Sequence, residues 1–295
     1  MSVVEKAIRK LQEQQHPAGA PAPEPPTHVP SVHPAAPAQA RNAAAPQQPP
    51  IALDRGVLRA AGLLPPEEDM GLLSRQYRKI KHPLVTQAIG RGGPRSPKGY
   101  LIMIASAMAG EGKTFTALNL ALSLALEKDV RVLLVDGDVA KPQLTHVLGL
   151  AEAPGLLDAL RQPDLEVESL IRPTDVPALA FLPAGKGAEE ATELLSSARM
   201  ERTAEQLGEQ GTRIVVFDSP PLLQTTESPV LARLAGQIVV VVRAESTPQP
   251  VLLDALKALE GHPSVSLVLN QSLRVAASAY YYYGYGSERP NTTSA

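Results

Sequence analysis

Leu101-Ile102-Met103-Ile104-Ala105-Ser106-Ala107-Met108-Ala109-Gly110-Glu111-Gly112-Lys113-Thr114 is the stretch on which the fold turns. Its first half is an apolar run of strand length, its second half a glycine loop, and Phe115 to Glu127 then reads as a helix. Strand, glycine loop and helix in this order form an anion site. Phosphate oxygens need many donors in a small volume, and backbone N–H groups at a helix N-terminus provide them. Lys113 adds a mobile cation, and Thr114 offers a hydroxyl to magnesium. Ala109, Gly110, Glu111, Gly112, Lys113, Thr114 and Phe115 are therefore the candidate nucleotide-binding segment. Ala107 stands where the strict pattern has its first glycine, and a residue this small still permits the turn.

Outward from this stretch, apolar runs alternate with helical patterns. Strands are expected at Tyr100 to Ala105, Val130 to Val135, Leu179 to Leu182, Arg213 to Phe217, Gln237 to Val242 and Val265 to Leu269. Runs apolar on both faces indicate a mostly parallel, doubly wound α/β sheet covered by helices on both sides; with the glycine loop, it resembles the P-loop NTPase arrangement of partition ATPases. Two further strand ends carry acids. Val132-Leu133-Leu134-Val135-Asp136-Gly137-Asp138 places two carboxylates at one strand's carboxyl edge, and Ile214-Val215-Val216-Phe217-Asp218 places a third at another. Ligands of open α/β sheets bind at that edge, so Thr114 with Asp138 or Asp218, directly or through water, is a candidate magnesium shell. An isolated aspartate after a strand is more often a helix cap; three meeting at one edge point to a site.

The flanks have a different character. Residues 1–16 space Val4, Ile8 and Leu11 at helical intervals among charges, which suits a short amphipathic docking helix. Residues 17–50 are nearly all Pro, Ala, Gln and small polar residues, the composition of a disordered linker. Residues 51–98 are expected to form a helical extension, with one helix over Pro66 to Lys81 that His82-Pro83 closes. The P-loop domain then spans 99–272, and 273–295 is read as a flexible tail. Lys plus Arg total 28 against 30 Asp plus Glu, so a net charge of −2 gives no overall pull toward nucleic acid. Zero cysteines exclude disulfides and thiolate metal sites and suit a reducing cytoplasm. No apolar run reaches the roughly 18 to 20 residues that cross a bilayer, so any membrane association is expected to come through a partner.

The tail is distinctive. Five of the seven tyrosines, Tyr280, Tyr281, Tyr282, Tyr283 and Tyr285, lie in it among glycines. A core-building chain places its aromatics inside; these phenols look presented rather than packed. Glycine loop, acidic strand ends and tyrosine cluster together resemble the bacterial tyrosine kinases, a P-loop family, over about Arg75 to Gly286. Val4-Glu5-Lys6-Ala7-Ile8, the proline-rich stretch, Arg78-Lys79-Ile80-Lys81-His82-Pro83-Leu84 and Leu194-Leu195-Ser196-Ser197 are similar to the autokinases of exosortase-linked exopolysaccharide loci.

That resemblance implies ATP and Mg2+ as cofactors, Lys113 on the phosphates, and Thr114, Asp138 and Asp218 at the metal. It also implies Asp136 as base for the incoming tyrosine, although phosphoryl transfer is mostly positioning and charge neutralisation. Asn270, after the last strand, is similar to an adenine-reading asparagine; a plain loop role stands beside that reading. The implied activity is autophosphorylation in trans of the tail tyrosines, in the control of exopolysaccharide polymerisation and export. The implied partners are a separate transmembrane polysaccharide copolymerase or chain-length regulator as activator, further copies of the chain, and a cognate tyrosine phosphatase. The location would be cytoplasmic, peripheral at the inner membrane. The family's self-association pattern Glu-x-x-Arg-x-x-Arg becomes Arg75, Arg78 and Lys81 here, without the acid, and those cations could equally be a solvated helix end. Two rivals remain. A partition or division ATPase switch would carry a second lysine where this chain has Met108, and a non-catalytic nucleotide-binding scaffold would use the tail only as an adhesive.

Overall fold

All six residues of strand β1 (Leu101–Ser106) are buried, as a strand covered on both faces must be. The computed structural model describes residues 49–90, 96, 98–208 and 213–272. The docking helix of residues 1–16, the linker up to residue 48 and the tail with Tyr280–Tyr283 and Tyr285 lie outside the described residues. Helix α1 (Arg55–Ala60) and α2 (Met70–Ile89) precede β1, and α3 (Lys113–Leu124) follows it. Then come β2 (Arg131–Asp136), α4 (Gln143–Val147), α5 (Leu156–Arg161), β3 (Arg172–Pro173) and β4 (Leu179–Leu182). The remaining elements are α6 (Ala191–Leu195), α7 (Ala198–Gly208), β5 (Arg213–Asp218), α8 (Glu227–Leu234), β6 (Gln237–Arg243), α9 (Gln249–Lys257) and β7 (Val265–Asn270).

The seven strands run in the order β3-β4-β2-β5-β1-β6-β7, parallel throughout except for the short antiparallel pair β3–β4. Alternate side chains feed two apolar layers. Ile102, Ile104, Leu134, Val216 and Val239 pack with Tyr77 and Leu84 of α2 and Leu120 and Leu124 of α3. Met103, Val135, Phe217 and Val240 face the other layer, with Leu157, Leu207, Leu231 and Ala255 from α5, α7, α8 and α9. The doubly wound sheet is thus present. Strand β7 departs from the two-sided expectation: it is an edge strand, with Leu267 54% and Leu269 64% exposed. Among the described residues no helix is long and apolar enough to cross a membrane.

The helix expected to stop at His82-Pro83 continues to Ile89 and ends on Gly90, whose positive φ of 70° suits a glycine cap. An interior proline costs about 3 kcal/mol. Burial of Leu84 and Val85 on the far side of it offsets that, at about 1.5–3 kcal/mol each. Tertiary packing therefore overrides the local breaker. Residues 51–64 join the same layer: Ile51 N–H donates to Pro173 O at 2.8 Å beside β3, and Leu58, Leu63 and Leu64 are buried. Asp54 caps α1 by accepting from the N–H of Gly56 and Val57 at 2.8 and 3.1 Å.

Lys81 is not a solvated cation. It is 7% exposed, and its Nζ donates to Ser123 O at 2.7 Å and pairs with Glu127 Oε1 at 2.8 Å. A positive charge thus sits at the carbonyl end of α3, where the helix dipole favours it, and locks α2 onto α3. Replacing Lys81 with Met keeps the aliphatic stem but removes the charge. We expect Lys81→Met to cost about 1.5–3 kcal/mol in urea unfolding, the range for a hydrogen bond made by a charged group. An unchanged midpoint and slope would show the pair to be dispensable.

Candidate functional site

The glycine loop turns at Gly110 and Gly112, whose φ angles of 81° and 95° are left-handed. At Gly112 space matters as well, because a Cβ there would collide with the Asn270 amide nitrogen. The loop is braced from within and from afar. Buried Glu111 accepts the Met108 N–H through Oε2 at 2.8 Å, and its Oε1 takes a hydrogen bond from the Thr247 hydroxyl. Asn270 Nδ2 donates to Glu111 O at 2.9 Å, and Gln224 Oε1 accepts the Ala109 N–H at 3.3 Å. Two loop N–H groups are therefore already occupied. The first turn of α3, whose N–H groups have no intrahelical acceptor, is the open part of the cradle. Lys113 opens that turn and is buried.

Opposite the loop, Asp136 of β2 and Asp218 of β5 are register neighbours, both essentially inaccessible. Asp136 Oδ2 accepts from both the N–H and the hydroxyl of Thr145 at 2.8 Å each. Its carboxyl is pushed up to about 7, chiefly by burial; the Thr145 bonds oppose this, the charge of Asp138 adds to it, and the Asp138 N–H pulls weakly downward. Asp218 is raised well above the ordinary carboxylate range by burial and then by Asp136, against the Thr114 hydroxyl and Lys113. Asp138 is raised by burial, opposed by Lys113 and Lys141.

One oxygen of each buried acid, Asp136 Oδ1 and Asp218 Oδ1, has no hydrogen-bond partner. Such oxygens fit a site that receives a hydrated cation or a proton. No group of three or more His, Cys, Asp or Glu among the described residues could hold a metal by itself. A magnesium shell here would therefore need the Thr114 hydroxyl, phosphate oxygens and water beside the carboxylates, which is the habit of that ion.

Lys113, Thr114, Asp136, Asp138 and Asp218 are thus brought to one sheet edge. Gly110, Gly112, Lys113, Thr114 and Asp138 line a cleft of about 750 Å³. Ala109 and Phe115 also line it, whereas Glu111 is turned inward as a brace. Asn270 sits against the loop backbone at the end of β7. Four contributors were not singled out in the sequence: the cleft wall Ala61-Gly62-Leu63, and Thr145, Gln224 and Thr247. Only Thr247 carried a signal, a Thr-Pro pair ahead of a helical run. The two tyrosines outside the tail are packed. Tyr77 is buried and its hydroxyl pushed up to about 12 by desolvation, against a hydrogen bond with Thr116, while the Tyr100 ring fills the space where a Cβ on Gly208 would lie.

The AAA domain family model matches residues 99–261, more than half of the chain. Tyrosine-protein kinase ptk of Acinetobacter johnsonii is 33% identical over 184 residues, 62% of this chain and 25% of that protein. Tyrosine-protein kinase YwqD of Bacillus subtilis is 29% identical over 233 residues, 78% of this chain and 94% of its own length. The VpsO kinase domain superposes with a TM-score of 0.58 at 28% identity, covering 70% of this chain and all of that domain. The chain belongs to the AAA domain family, and these relatives are named tyrosine-protein kinases. It spans about a quarter of the length of the Ralstonia and Acinetobacter kinases it matches.

The raised carboxyl of Asp136 has a stability consequence. Its folded value, about 7, lies above the ordinary 3.8, so the native state binds the extra proton. The stability that this proton contributes is fully present below about pH 4 and is lost as pH rises through 7. In metal-free protein, Asp136→Asn should therefore be more stable than wild type at pH 8, by an amount on the order of 4 kcal/mol, and the two should converge near pH 4. Parallel urea titrations at the two pH values check this; equal differences at both would contradict it.

Proposed function

We propose that this chain is an ATP-dependent protein-tyrosine kinase whose acceptors are Tyr280, Tyr281, Tyr282, Tyr283 and Tyr285 of another copy, and that it controls exopolysaccharide polymerisation and export. One observation carries the reading: a glycine loop, Lys113 and three aspartates meet at one sheet edge in a chain whose matched relatives are named tyrosine-protein kinases.

In this reading the first turn of α3 and Lys113 hold the phosphates and offset their charge, and Asn270 lies at the nucleotide's base. Asp136 takes the phenol proton, because a tyrosine of pKa about 10 is neutral at physiological pH. A carboxyl raised toward 7 is suited to that exchange, since a general base works best near the ambient pH. Thr114, Asp138 and Asp218 would hold Mg2+, which when bound neutralises charge on the transferring phosphoryl group. The oxygen–phosphorus bond to ADP breaks as the bond to the phenol oxygen forms.

The resemblance supplies the remainder: a separate transmembrane polysaccharide copolymerase as activator, self-association that offers one copy's tail to another's cleft, a cognate tyrosine phosphatase, and a cytoplasmic position at the inner membrane. Lys81 cannot serve that self-association as a free cation, because Glu127 and Ser123 already hold it. Arg75 and Arg78 are left to carry it.

The test is an anti-phosphotyrosine blot with mass spectrometry of the C-terminal peptide, comparing wild type with Lys113→Met in the presence of the activator's cytoplasmic part. Wild type should be labelled in the tail, and the variant at least about 100-fold less, as expected when a key charge on the reacting group is removed. Equal labelling, or labelling confined to Tyr77 or Tyr100, would refute the assignment.

A further inference from the structure

The two oxygens of Asp136 are not equivalent, and the difference traces to one residue outside the family motifs. Thr145, on α4 and 2% exposed, gives Oδ2 both its N–H and its hydroxyl. The hydroxyl oxygen is also 3.1 Å from the N–H of Ala184, just beyond β4. A backbone N–H can only donate, so the Thr145 oxygen accepts there and its one proton is committed to Asp136. The direction of the chain is therefore set: Ala184 N–H to Thr145 Oγ1, then Thr145 O–H to Asp136 Oδ2. Oδ1 is left as the buried oxygen without a partner.

We propose that Thr145 is a positioning residue for phosphoryl transfer: it fixes the plane of the Asp136 carboxylate and closes Oδ2 to a proton, so that Oδ1 receives the acceptor's hydrogen. The proposal rests on Asp136 being the base. The acceptor O–H bond breaks with its proton going to Oδ1, the acceptor oxygen bonds to phosphorus, and ADP departs with the electron pair of the old bond.

The rival is a packing role. The Thr145 N–H lies in the first turn of α4, so Asp136 also caps that helix, and a cap alone would explain the contact. Thr145→Val separates the two roles, because it keeps the N–H and the volume and removes only the hydroxyl. Thr145→Ser restores the hydroxyl, and Thr145→Ala is a second hydroxyl deletion should the valine variant not fold. Full-length proteins are compared for thermal unfolding and for kcat and KM of ATP-dependent tyrosine phosphorylation.

We expect the hydroxyl deletions to lower kcat by about 10- to 100-fold with KM for ATP within about twofold, the effect of misplacing one reacting group, and serine to recover most of the rate. A wild-type kcat in a folded deletion variant overturns the proposal, as does a serine variant as slow as the deletions. If wild type makes no phosphotyrosine with the activator's cytoplasmic part present in every assay, the kinase reading has failed by itself. Thr145 is then read from ADP release with water as acceptor, where the same ordering supports the proposal and equal rates overturn it.

Discussion

Unbalanced negative charge at the carboxyl edge of the sheet is the constraint on which the rest of this structure depends. Asp136 and Asp218 face each other across neighbouring strands, with Asp138 close by, and Lys113 is the cation that bears on both Asp138 and Asp218. Buried like charges in register oppose folding unless a proton or a cation joins them. The sheet tolerates the arrangement because its two apolar layers hold the strands in place, and because α3 directs its positive end at the same point. A nucleotide with its metal would meet donors on one side and carboxylates on the other.

What could be read locally was legible. The β1–loop–α3 unit and the acidic ends of β2 and β5 each lie within one short stretch, so residue order carried both the element and its chemistry. What escaped depends on partners far away in the chain. Lys81 finds Ser123 at a separation of 42 residues, Asn119 finds Leu63 at 56, and Glu111 finds Thr247 at 136. Composition cannot reveal such pairs, because each residue is ordinary for its own element. Pro83 misled for the same reason: a breaker is a local signal, and the burial that overrides it is not. The exposed face of β7 escaped because an edge strand and an inner one have the same apolar pattern until the sheet order is known. The tail tyrosines lie outside the described residues, so their reading still rests on composition.

The glycine loop illustrates how distant residues set a local shape. Glycines allow the turns at 110 and 112 but do not choose them. Glu111 does that from inside, since a buried carboxylate left without its Met108 and Thr247 donors would be costly. Asn270 then occupies the space that a side chain at 112 would need, so loop and edge strand constrain each other. Asn270 is therefore tied to the loop, and its substitution would remove the bond to Glu111 O and loosen the turn at Gly112.

The N-terminal segment belongs to the same logic. Ile51 bonds the backbone beside β3, while Leu63 O accepts the Asn119 side chain of α3 at 2.9 Å and Ala61 to Leu63 line the cleft. Asn119 also donates to Phe115 O at 2.7 Å, one turn back toward Lys113. One short stretch thus spans from the sheet edge to the helix that presents the lysine. A displacement of residues 51–64 would act on the cleft wall and on the first turn of α3 together, because a buried amide cannot release Leu63 without losing a hydrogen bond. The segment that precedes the motif domain is in this sense part of its site, a relation that a division of the chain at residue 99 conceals.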